Sequence, residues 1–151
     1  MSRFPRLVKT WCCPLLSGLV AFCIMEIEKI IGSWKLIQFA NHAPDRTIQL
    51  WSGYLNGRLI YSHPDVVSVA INRRANNCDQ DLSEFNSFYA GRFKLKGTST
   101  IEHKVEQSSD FKRVGEIYVR AICLVEDRLE ISGKGLTGDV ALVWKREIGC
   151  F

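Results

Sequence analysis

From residue 31 onward, apolar and polar positions alternate in short runs of period two, and clusters of turn residues break the runs at short intervals. The pattern predicts strands over 33–40, 47–54, 58–62, 66–72, 88–96, 99–107, 115–125, 128–132 and 139–146, each rich in Val, Ile, Phe, Tyr, Trp or Thr. Breaks fall at Asn41-His42-Ala43-Pro44-Asp45, Asn56-Gly57, His63-Pro64-Asp65, Lys96-Gly97, Glu126-Asp127 and Gly133 to Gly138. Asn56-Gly57 is read as a hairpin turn because both residues tolerate positive φ. The helical candidate is the polar stretch Arg73 to Phe88, with Asp79 or Asp81 as cap; it is a lid over one mouth or a surface loop. So many short strands, with no helices to cover sheet edges, predict an all-β fold: a single closed antiparallel barrel of about eight strands with a short helical or loop insert.

Strand parity then says which side chains face inward. In 99–107, Ile101, His103 and Val105 share the apolar face, and Glu102, Lys104 and Glu106 the polar one. In 88–96, Tyr89, Gly91, Phe93 and Leu95 oppose Arg92, Lys94 and Lys96. In 139–146, Val140, Leu142, Trp144 and Arg146 align against Ala141, Val143 and Lys145. Strand 115–125 leaves its facing open: Ile117, Val119, Ala121 and Cys123 lie on one side, Tyr118, Arg120, Ile122 and Leu124 on the other. An arginine inside such a strand requires a partner if it faces the core, since an unpaired buried charge is costly.

Charge divides the chain into two parts. Arg3, Arg6 and Lys9 give residues 1–24 a charge of +3 with no acid, leaving only +1 of the formal +4 for residues 25–151. A near-neutral body lacks the basic footprint of nucleic-acid binding, so no nucleic-acid partner is expected. The leader, residues 1–24, reads as a secretory signal, as an upstream extension of a protein that starts at Met25, or as an anchor in which 10–25 are retained. A start at Met25 implies a cytoplasmic protein; a signal over 1–23 implies a secreted or periplasmic one. The barrel domain is residues 25–151. Cys78, Cys123 and Cys150 are scattered through it without metal spacing and read as unpaired thiols. Three histidines, far apart, suggest no metal site.

Several runs together carry a family resemblance: Ile31-Gly32-Ser33-Trp34-Lys35-Leu36, Gly57 to Asp65, Tyr89-Ala90-Gly91-Arg92-Phe93, Ile101-Glu102-His103-Lys104-Val105, Gly115 to Arg120, Asp127-Arg128-Leu129 and Leu142-Val143-Trp144-Lys145-Arg146. In this ordered series the chain resembles the lipocalin-like domain family over nearly all of residues 27–146. It departs where the family often has an aspartate-glycine and an aromatic after the proline; here Val66-Val67 follow Asp65. The resemblance implies a calycin-type barrel with an internal cavity, and for most members no established reaction. It also implies that Trp34 and Arg146 close one end, the guanidinium packing on the indole.

Candidate ligand-binding residues are His103, Arg120, Tyr61, Tyr89, Phe93 and Tyr118. An inward histidine near an inward arginine suits a carboxylate, carbonyl or enolate, and the phenols offer hydroxyls to a cavity. The alternatives are a satisfied core histidine, an Arg120 paired with Glu116 or a backbone carbonyl, and tyrosines that are only walls. His42 and His63 are read as exposed turn residues. Gly133 to Gly138 lies between strands with no following helix, which favours a hairpin loop over a phosphate loop. The expected function is binding or carrying a small hydrophobic molecule, without cofactor. The alternatives are a cofactor-independent cyclase, isomerase or dehydratase with His103 as acid/base, and a barrel filled by its own side chains.

Overall fold

The computed structural model describes residues 26–42, 47–75, 84–135 and 138–149. A helical turn, α1 (Ile27–Ile30), leads into β1 (Gly32–His42). The remaining strands are β2 (Ile48–Leu50), β3 (Gly53–Ser62), β4 (Val66–Ala75), β5 (Glu84–Lys96), β6 (Thr100–Ser108), β7 (Ile117–Val125), β8 (Arg128–Gly135) and β9 (Gly138–Arg146). All neighbours are antiparallel, and β1 pairs with β9 from Trp34↔Arg146 to His42↔Asp139, which closes the sheet. Eight strands form the barrel, with β3 on the first half of β1; the short β2 lies against the end of β1. The expected closed all-β barrel is borne out.

The inward positions of alternating strands fill the interior: Trp34 and Leu36 of β1, Leu59 and Tyr61 of β3, Val67, Val69 and Ile71 of β4, Ile101 and His103 of β6, and Trp144 of β9. Each large apolar side chain so buried contributes about 1.5–3 kcal/mol. Strict alternation from Trp34 would leave Phe39 outside. A bulge between Leu36 and Gln38, with Ile37 exposed, shifts the parity and turns Phe39 inward; the neighbouring Ala40 is buried as well.

Three turn assignments change. Asn56-Gly57 is no hairpin: it lies within β3, opposite Asn72 and Ile71 of β4. The glycine serves packing, since a Cβ at residue 57 would stand 2.9 Å from Leu36 Cβ and 3.2 Å from the Ala70 carbonyl oxygen. Gly57→Ala is therefore expected to cost about 1–3 kcal/mol by overcrowding, read from urea unfolding midpoints; an unchanged midpoint overturns this account. Second, β8 runs through Gly135 and β9 starts at Gly138, so Gly133 is strand and not loop. Third, Arg73 to Ala75 and Glu84 to Phe88, assigned to a helical insert, extend β4 and β5. The proposed caps Asp79 and Asp81 lie outside the described residues, as do the leader 1–24, Cys78 and Cys150.

His42 is paired in β1, opposite Ile48 and Asp139, instead of lying in a turn. His63 lies in the β3–β4 turn, exposed beside Glu28 at 3.2 Å. Between β6 and β7 the chain makes a 3₁₀ turn, Phe111–Arg113, whose start is capped by the Asp110 carboxylate accepting from Lys112 N–H at 3.0 Å. Among the described residues no helix is long and apolar enough to cross a membrane.

Candidate functional site

The closed end is made by β1, α1 and β9. Trp34 is wholly buried and donates its indole N–H to the Ile30 carbonyl at 2.9 Å. Arg146 lies over the ring at 4.1 Å and donates to the Ile31 carbonyl at 3.0 Å and to the Lys29 carbonyl. The two orphan carbonyls of the helical turn and the indole face thus share one guanidinium. Outside this plug, Glu147 accepts from Ser33 at 2.5 Å and from Arg58 at 3.1 Å, and these bonds hold its carboxyl below its ordinary range.

Beyond the Trp144 layer lies a cavity of about 260 Å³. Phe39, Leu59, Val69, Ile71, Ile131, Val140, Leu142 and Trp144 supply its apolar walls, and Arg73, Arg113, Arg120, Tyr89, His103, Ser87 and Ser132 its polar part. Among the described residues no carboxylate lines it, and no group of three His, Cys, Asp or Glu is placed to hold a metal ion.

His103, 1 % exposed, is clamped between two phenols. Tyr61 Oη lies 2.9 Å from Nε2, and Tyr89 Oη lies 2.9 Å from Nδ1. Burial, aided by the positive charge of Arg120, pushes the imidazole down to about 3, so the ring is neutral, with one N–H and one lone pair. Burial also pushes Tyr89 up to about 12 and raises Tyr61 well above its ordinary value, so both phenols keep their protons. Proton placement follows from satisfaction. Tyr61 is sealed in the core beside Phe93, whose ring meets it edge-on at 4.8 Å, so its O–H donates to Nε2. Nδ1–H then donates to the Tyr89 oxygen, and the Tyr89 proton is left to point into the cavity.

The arginines complete the polar wall. Tyr118, Arg120, Ile122 and Leu124 form the inward face of β7, which resolves the facing of Arg120. Arg120 donates to the Lys134 carbonyl at 2.7 Å and lies 4.7 Å from the Tyr118 ring. Glu116 is a neighbour of the Tyr118 hydroxyl and raises that phenol alongside burial, the larger cause. Gly133 makes the space for Arg120: a Cβ there would stand 2.7 Å from Nη1. Arg113, from the 3₁₀ turn, donates to Tyr118 Oη at 2.6 Å and to Ser87 Oγ at 2.8 Å, and lies over Tyr89 at 5.3 Å. Arg120 is lowered first by burial and also by Arg113, so the two cations repel across one tyrosine.

Of the residues singled out in the sequence, His103, Tyr89 and Arg120 line the cavity, while Tyr61 backs His103 and Tyr118 packs against Arg120 without lining it. Phe93 backs Tyr61 in the core, and Trp34 and Arg146 stand apart at the closed end. Sequence reasoning missed Arg73, Arg113 and Ser87. Arg73 and Ser87 lie in the stretch assigned to a helical insert, and Arg113 lies in a turn with no motif around it. The two-residue parity of β4, carried on from Val69 and Ile71, would have placed Arg73 inward.

The chain belongs to the lipocalin-like domain family, whose model matches residues 31–146. No curated protein matches it. Among solved structures it is similar to a redesigned beta barrel at 11% identity, covering 81% of this chain and 95% of that one with a TM-score of 0.47. Two mutants of the fluorescent protein UnaG are similar at 12% and 13% identity. They cover 82% and 80% of this chain and 100% and 98% of theirs, with TM-scores of 0.41 and 0.40.

Proposed function

We propose that this member of the lipocalin-like domain family is a binding or carrier protein for a small, largely apolar molecule held inside the barrel. The observation that carries the reading is the cavity itself: apolar walls joined to one convergent polar wall, the form of a small-molecule site. Its volume matches roughly nine water-sized groups at ~30 Å³ each, which sets the scale of the ligand. The hydroxyl of Tyr89, oriented by His103, is the fixed polar contact, and Arg120 stands beside it. Titration with 2-naphthol, followed by its own fluorescence, tests this. Saturable binding is expected, and it is expected to vanish in Val140→Trp, where an indole fills the cavity. Absence of saturable binding to the native protein, or equal binding to the filled variant, overturns the reading.

The Tyr61–His103–Tyr89 chain favours a second reading, cofactor-independent isomerisation, cyclisation or dehydration with His103 exchanging a proton through Tyr89. Its mark is turnover of a bound carbonyl compound that stops in His103→Phe while binding persists. Binding without turnover across such compounds removes its basis.

A further inference from the structure

We propose that the barrel selects an anion: an apolar carboxylate whose head group lies between Arg120 and Tyr89, with Arg113 behind. This rests on the binding function above and names the ligand class of the same cavity.

Arg113 and Arg120 bring two guanidiniums to a single cavity, and no carboxylate among the described residues lines it. Neither Arg113 nor Arg120 forms an ion pair with any described residue; their hydrogen bonds go to hydroxyls and a backbone carbonyl. Glu116 is exposed and neighbours the Tyr118 hydroxyl, and it does not line the cavity. Two half-buried cations that share one aromatic ring raise each other's energy, and neutral acceptors offset this only in part. An anion between them relieves the repulsion and gains charge-assisted hydrogen bonds, for which a planar fork suits a planar two-oxygen head.

Two further donors belong to residues that line the same cavity. With His103 Nδ1 protonated and donating to the Tyr89 oxygen, that nitrogen cannot accept the Tyr89 proton, which is free for a ligand acceptor. The Trp144 indole N–H, buried on the cavity wall, has no hydrogen-bond partner among the described residues. A wall of donors lacking acceptors recognises a ligand made of acceptors. Gly133 fixes the position of the main contact, since any side chain there displaces the Arg120 guanidinium.

Calorimetric titration with octanoate and with octanamide separates charge from shape, because the two share a chain and differ in the head. At pH 7.5 and low salt, octanoate is expected to bind at least about tenfold more tightly. In Arg120→Met the preference is expected to disappear, octanoate falling to the octanamide level. Gly133→Ala, which keeps the charge and moves it, is expected to weaken octanoate about tenfold, and it serves if Arg120→Met does not fold. Equal affinity of the native protein for the two probes overturns the anion assignment and leaves the binding function standing. Octanoate failing to bind while 2-naphthol binds does the same. If octanoate, octanamide and 2-naphthol all fail to bind, both fall.

Discussion

Trp34→Ala is expected to lose about 3–5 kcal/mol of unfolding free energy, the range for deleting a fully buried aromatic ring, and about 10–20 °C in melting temperature for a domain of this size. The loss has three sources. The ring is wholly buried at the closed end, so its removal leaves a void between β1 and β9 where the sheet closes. Its N–H satisfies the Ile30 carbonyl, which α1 is too short to satisfy within itself. It is also the surface on which Arg146 rests while bonding the Ile31 and Lys29 carbonyls, so the arginine loses its seat as well. Trp34→Phe, which keeps most of the apolar area and drops the N–H, is expected to cost about 1–2 kcal/mol. A double-mutant cycle with Arg146→Met isolates the pair, with a coupling of about 0.5–2 kcal/mol expected. Urea denaturation followed by tryptophan-independent circular dichroism reads the native protein and all of these variants. A loss under about 1 kcal/mol for Trp34→Ala, or additive single costs, means that the pair does not hold the end shut. Because Trp34 lies outside the cavity lining, folded Trp34→Phe should bind 2-naphthol as the native protein does, which separates closing the barrel from touching the ligand.

Most of the architecture was legible in the sequence because period-two alternation is a local property, and most of the barrel strands carry it. Parity also placed His103, Tyr89 and Trp144 on the inner face: the pairing is regular around His103 and Trp144, and β5 keeps its own alternation at Tyr89 although the β5–β6 register shifts between Ala90 and Gly91. Illegibility has identifiable causes. Asn56-Gly57 has the chemistry of a turn, but the crowding of Leu36 and Ala70 onto residue 57 demands a glycine within a strand, and tertiary contact overrides the local preference. Phe39 could not be placed, because a bulge inverts parity without a sequence signal. β7 is apolar on both faces, Ile117 and Val119 lying exposed, so alternation carried no information there until the barrel chose a side. Arg113 is set by the path of a turn, and its partners Ser87 and Tyr118 come from different strands. The polar wall is therefore a product of closure: its parts are visible in sequence, and their convergence is not.

Acid is expected to destabilise this barrel between pH 6.5 and about pH 3 through His103 more than through any other described histidine. In the folded state the ring stays neutral down to about 3, while in the unfolded chain it takes up a proton near 6.5. The unfolded state therefore binds more protons throughout that window, so stability is complete above pH 6.5 and falls as pH falls, by up to about 1.4 kcal/mol per pH unit. From pH 7 to pH 5 the loss from this one group is about 2 kcal/mol, a range in which ordinary carboxylates contribute little. Burial holds the ring neutral, with the charge of Arg120 of β7 adding to it, and the other polar groups that face the ring are Tyr61 of β3 and Tyr89 of β5. Protonation would place a second cation beside Arg120 and deprive the Tyr61 O–H of its acceptor. His103→Phe removes the titration, so its stability should be nearly level between pH 7 and pH 5. At pH 7 that variant should be weaker than the native barrel by about 1–3 kcal/mol, because the Tyr61 hydroxyl is left buried without an acceptor. The two curves then converge on acidification. Parallel urea-derived stabilities for the two proteins across pH 7 to 5 would remove His103 as the acid-sensitive group and, with it, the neutral relay that directs the Tyr89 proton into the cavity.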